Sequence, residues 1–123
     1  MNKKELTIRK NIISTALELE KKNLNQGKAG NISVRWNGGI LITPSGMDYH
    51  KLKPADIVFI DNKGKSHGKR KPSVETPFHY DILKYKKEID TVIHTHAPYS
   101  TGLSILGKPC LLYTSDAADE SVR

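Results

Sequence analysis

Cysteine is nearly absent: Cys110 is the only one in 123 residues. That excludes an internal disulfide framework and fits a reducing, cytoplasmic setting. Long apolar runs are missing too, since none approaches the roughly 20 residues that a membrane-spanning helix needs. The opening MNKKELTIRKNIIS carries charge but no continuous apolar stretch, so a secretory signal is not expected. There are no internal repeats and no linker that would divide the chain, so one domain at most is expected. A hydrophobic content of 37% and a charged content of 27% describe an ordinary soluble protein and exclude the disordered class.

Acidic residues are the scarcer charge, 13 against 20 Lys and Arg, leaving a formal net charge of +7. The densest basic stretch is KGKSHGKRK, residues 63–71. A solvated loop between turn-forming glycines accounts for it. No recognised nucleic-acid-binding module accompanies it, so no nucleic-acid partner is expected. A basic surface also attracts anionic, phosphorylated substrates; charge alone does not choose among these readings.

Residues 4–24 read as an amphipathic helix, with Leu6, Ile13, Leu17 and Leu24 at helical intervals and Ile12, Ala16 and Leu19 widening the stripe. A Gly-rich loop at 27–31 leads into a strand over 32–36. NGG (37–39) signals a hairpin and 40–43 is the returning strand. PSG at 44–46 makes another turn, and 56–61 reads as a third strand. Within KPSVETPFHYDILKYKKEI a helix is expected, with Pro77 in its first turn and Phe78, Ile82 and Tyr85 as its apolar stripe. TVIHTHA (91–97) follows as a strand. Helix, strands, helix, strand is an α/β order, and the hairpins make the sheet mixed or mainly antiparallel.

The chemistry begins with VIHTHAPYS, where His94 and His96 flank Thr95. On a strand, positions i and i+2 share a face, so two imidazoles would stand side by side and could grip one metal ion. On a helix the pair would diverge by about 200°. Glu75, at the expected start of the second helix, is a carboxylate that the helix dipole favours, and it could serve as a metal ligand or a general base. Two His and a Glu suit zinc or a similar divalent ion with an open position for catalysis. Three small-residue loops, GKAGNIS, TPSG and KPS, offer backbone N–H groups, hydroxyls and an amide of the kind that bind phosphate oxygens.

Taken together, GKAGNISVR, ILITPSGMDYHKL, IVFID, KPSVETPFHYDIL and VIHTHAPYSTGLSIL resemble the class II aldolase/adducin family, and within it the L-fuculose-phosphate aldolase-like members. The likeness covers about residues 4–107. It implies a three-layer α/β/α sandwich around a mainly antiparallel sheet, here truncated, and a cytoplasmic homotetramer at full length. It implies Zn2+ or another divalent ion on Glu75, His94 and His96, with Glu75 also catalytic. Phosphate-binding positions fall on Gly30 and Asn31, on Ser45 and Gly46, and on Ser73 and Val74. Where the fuculose pattern has two serines, Val74 keeps the backbone N–H and loses one hydroxyl. The implied reaction is cleavage of a sugar phosphate, a phosphorylated ketose, with the metal stabilising the charge left by carbon–carbon cleavage and Glu75 moving a proton. Epimerisation or dehydration of a pentulose phosphate at the same metal site is the alternative. A non-catalytic adducin-like domain lacks the metal histidines, so His94, His96 and Glu75 argue against it.

The family's third metal-binding histidine and its catalytic tyrosine belong to sequence that should follow. Instead the chain closes with GKPCLLYTSDAADESVR, in which CLLYTSDAADE resembles the translation of a transposase adapter used in sequencing libraries. Residues 1–109 are therefore expected to be the N-terminal part of the family domain, and 110–123 adapter read-through. On that expectation Cys110 is not native, and Tyr113 takes no catalytic role.

Overall fold

The computed structural model describes residues 1–25 and 28–96; the expectations for 97–123, including the tail, lie outside them. Helix α1 (Lys3–Lys21) starts where the Asn2 side chain accepts the Glu5 N–H at 2.7 Å. It stops sooner than the apolar spacing suggested. Asn23 adopts a left-handed φ of 63°, and the N–H groups of Asn23 and Leu24 turn back to the carbonyls of Glu20 and Leu19. That is a Schellman closure, and it leaves Leu24 outside the helix and exposed.

Strands β1 (Asn31–Trp36) and β2 (Gly39–Ile42) form the expected hairpin, with Asn37 and Gly38 both at positive φ as a type I′ turn requires. Gly39 has no alternative residue, because a Cβ there would lie 1.9 Å from the Ile60 carbonyl oxygen across the sheet. Strand β3 (Val58–Ile60) is shorter than the predicted 56–61. Pro54–Asp56 instead forms a 3-10 turn, in which the Asp56 carboxylate accepts the Lys53 N–H at 2.9 Å. Strand β4 (Ser66–His67) lies inside the stretch read as a solvated loop. Its pairing with β3 is set by the turn: Asp61 accepts N–H groups from Lys63 and Lys65 and faces the His67 ring. The loop's charge is partly engaged as well, since Arg70 meets the buried Asp56 carboxylate at 2.9 Å.

Helix α2 (Thr76–Tyr85) carries Pro77 in its first turn as expected, and β5 (Thr91–His94) follows. The sheet order is β4-β3-β2-β1-β5, and every pairing among the described residues is antiparallel. Alternation along the strands gives the sheet two covered faces. Ile32, Leu41 and Ile57 pack with Ile12 and Ala16 of α1; Ile40, Ile42, Val58 and Ile60 pack with Leu83 of α2. All four residues of β2 are buried, as expected of a strand covered on both sides. Helix, sheet and helix make the three-layer α/β/α arrangement. Each buried aliphatic side chain contributes roughly 1.5–3 kcal/mol to holding it. No described helix is long and apolar enough to cross a membrane.

The α2 stripe is a correction. Phe78 and Tyr85 are exposed, and the helix buries His79 and Leu83 instead. Counting apolar residues could not find this face, because the sheet opposite His79 offers the polar side chains of Ser33 and Asn31.

Candidate active site

Strand β5 ends at His94, opposite Asn31, the first residue of β1. The ladder stops there because Gly30 leaves the extended conformation, at φ +80°. His96 therefore lies past the strand. Its N–H is taken by the side-chain oxygen of Asn25 at 3.0 Å. The two imidazoles still stand side by side, with ring centroids 4.8 Å apart.

Glu75 is the N-cap of α2 and brings Oε1 to 2.6 Å from His94 Nδ1. Nδ1 is buried and makes no directed hydrogen bond among the described residues. A ring nitrogen facing a carboxylate at this distance has either a proton or a shared cation between the two atoms, and the second is the disposition of two ligands of one ion. Ligand atoms of Glu75, His94 and His96 all lie within 4.8 Å of one another. The donor set, two imidazoles and a carboxylate, fits a divalent ion of the zinc type.

Beside this trio is a cleft of about 210 Å³. Gly30 and Asn31, Ser45 and Gly46, and Ser73 and Val74 all line it, together with Glu75 and His96. Backbone hydrogen bonds fasten the second loop to the third: Ser45 N–H donates to the Lys71 carbonyl at 2.9 Å, and Ser73 N–H to the Thr43 carbonyl at 3.1 Å. The Ser73 hydroxyl accepts the Glu75 N–H at 3.1 Å, which orients the start of α2. Val74 points to solvent, 82% exposed. A slightly larger cavity, about 240 Å³, lies at the far end of α2 among Arg35, Tyr80 and Lys84 and holds none of these groups.

Sequence reasoning missed the residues that hold the first loop. Asn25 Nδ2 donates to the Ala29 carbonyl at 2.5 Å, and the Tyr49 hydroxyl donates to the Gly30 carbonyl at 2.7 Å. Burial pushes the Tyr49 phenol up to about 12, so it stays a donor. Gly30 is required by its φ and by space: a Cβ would lie 2.6 Å from the His94 carbonyl oxygen and 2.8 Å from the Asn25 amide. His79, fully buried, faces Ser33 Oγ through Nδ1 at 2.7 Å and Asn31 Oδ1 through Nε2. Burial first, and the neighbouring His94 second, lower its pKa to about 4, so the ring is neutral at pH 7. Lys28 adds a cation to the cleft wall.

Residues 10–122 match the family described as Class II Aldolase and Adducin N-terminal domain. The chain is 49% identical over 104 residues to the 5-methylthioribulose-1-phosphate/5-deoxyribulose-1-phosphate aldolase of Rhodospirillum rubrum, a match covering 85% of this chain and 47% of that protein. It is 47% identical over 109 residues to the L-fuculose phosphate aldolase of Haemophilus influenzae, covering 89% and 50%. Among solved structures, an L-fuculose 1-phosphate aldolase superposes with a TM-score of 0.77 at 33% identity, covering 83% of this chain and 50% of that one. The chain thus spans about half the length of the curated relatives it matches. With a three-layer antiparallel fold, a matching domain description and these relatives in agreement, the chain belongs to the class II aldolase and adducin N-terminal domain family.

Proposed function

We propose that this chain supplies the metal- and phosphate-binding part of an aldolase that cleaves a ketose 1-phosphate to dihydroxyacetone phosphate and an aldehyde. The observation that carries the reading is the convergence of Glu75, His94 and His96 with three small-residue loops on one cleft. The similar proteins named above are all named as aldolases, two of them of a 1-phosphate, which favours carbon–carbon cleavage over epimerisation or dehydration.

Glu75, His94 and His96 would hold a divalent ion of the zinc type, which when bound would supply a Lewis acid where negative charge develops on the substrate. The loops hold the phosphate. Gly30, Gly46 and Val74 contribute backbone N–H groups, Asn31 an amide, and Ser45 and Ser73 hydroxyls. Fixing the phosphate sets the position of the sugar carbons relative to Glu75 and removes the entropy of alignment. Glu75 takes the C4 hydroxyl proton, and C4 becomes the aldehyde carbon as the C3–C4 bond breaks with its electron pair left on C3. Glu75 then returns that proton to C3, the carbon beside the carbonyl. Its place at the helix N-terminus stabilises the carboxylate it leaves behind.

The test is release of dihydroxyacetone phosphate by the full-length protein from a ketose 1-phosphate and from the same ketose without phosphate. kcat/KM should be far lower for the unphosphorylated sugar. Equal turnover of the two contradicts the loop assignment. We also propose that residues 110–123 are adapter read-through, which the genomic DNA following the Pro109 codon tests.

A further inference from the structure

We infer that His79 is a positioning residue for phosphate binding: its Nε2–H, donated to Asn31 Oδ1, turns the Asn31 NH2 group toward the cleft. The inference rests on the reading of the Asn31 loop as a phosphate site.

His79 lies in the interior between α2 and β1, with 0% of its surface exposed. It does not line the cleft itself, yet both ring nitrogens face polar side chains of β1, Ser33 at Nδ1 and Asn31 at Nε2. Asn31 lines the cleft, and its NH2 is committed to no acceptor among the described residues. Its amide can present either a donor or an acceptor there, and only the donor is compatible with an anion. The ring's tautomer decides which. With the proton on Nε2, the amide oxygen must face the ring, and the NH2 faces the cleft. The Ser33 hydroxyl then donates to Nδ1. With the proton on Nδ1 the amide would have to flip, so that its oxygen met the phosphate. Ser33, a hydroxyl, accommodates either state and so does not bias the choice. Burial keeps the ring from turning to solvent, and the amide is fixed before any ligand arrives.

Two measurements on the full-length protein test this. The first is the ring-nitrogen NMR signature of His79 in the unaltered protein, expected to show hydrogen on Nε2; hydrogen on Nδ1 overturns the inference. The second is competition by inorganic phosphate against substrate in four variants, with metal content measured alongside. His79→Gln can still place an N–H where Nε2 was, so its phosphate affinity should stay within about threefold of wild type. His79→Asn reaches only Ser33 and His79→Leu reaches neither partner, so both should lose about tenfold, the scale of one hydrogen bond. Metal content should not change in any of the three. If Asn31→Ala binds phosphate like wild type, the loop reading fails and this inference falls with it. If Asn31→Ala weakens binding while His79→Leu does not, or if Gln fares no better than Leu, His79 alone loses its role. Should the Leu variant fail to fold, the tautomer still decides.

Discussion

His94 Nδ1 and Glu75 Oε1 stand 2.6 Å apart, one from the last residue of β5 and the other from the cap of α2. Nothing local brings them together. The β1–β5 register sets His94 opposite Asn31, and the Ser73 hydroxyl holds the backbone of Glu75. Two lone-pair-bearing atoms at this distance repel unless a proton or a cation lies between them.

Replacing His94 by Ala should therefore remove the ion, not merely loosen it. Loss of a ligand should cost at least as much as loss of a supporting group, so affinity should fall by about 100-fold or more. Metal analysis of the purified full-length variant checks this. Full occupancy in the His94→Ala protein contradicts the assignment, and His96→Ala should behave alike.

Asn31→Ala should raise KM for a ketose 1-phosphate by about tenfold with a smaller change in kcat, because it deletes one donor to the phosphate. The fold should persist, since Asn31 sits at the end of β1. Steady-state kinetics with phosphorylated and free ketose separate this effect from general damage; only the phosphorylated substrate should suffer.

Gly30→Ala should destabilise the protein by about 2 kcal/mol or more, through the left-handed backbone and the collision with the His94 carbonyl. The same collision displaces β5 at His94, so metal affinity should fall together with the melting temperature. Gly46→Ala separates the two causes. Its φ is +69° but its Cβ would meet nothing, so it should cost backbone strain alone and leave metal binding intact.

Asp56 gives a pH dependence. Burial would raise its carboxyl, but the Lys53 N–H, Arg70 and Lys69 outweigh that and hold it below the usual carboxylate range. A depressed folded-state pKa means that the contribution is complete above the unfolded value and is lost as pH falls through the folded one. Asp56→Asn should therefore destabilise at pH 7, and the gap to wild type should close below about pH 4. Denaturant melts at several pH values check it; a gap independent of pH contradicts the charge-based account.

Much of the architecture was legible because periodicity reports burial. The first helix, the Asn-Gly hairpin and the near-continuous apolar run of β2 announced themselves. What was not legible depended on partners. The Schellman turn at Asn23 shortened α1, and Asp61 created β4 where no alternation existed. His79 displaced Phe78 from the buried face because β1 offered it hydrogen bonds. Within the site, Glu75, His94 and His96 stood out by chemistry. Asn25, Tyr49 and His79 act through other residues, and a residue that positions another leaves no pattern of its own in a single sequence.

On the proposed function, metal and phosphate bind in one cleft for one reaction. The most direct test of that reading is the rate of dihydroxyacetone phosphate release from a ketose 1-phosphate by the full-length protein, stripped of metal by a chelator and then reloaded. Cleavage should vanish with the ion, verified by elemental analysis, and return when a zinc-like divalent ion is restored. Unchanged cleavage by protein shown to be metal-free would contradict it.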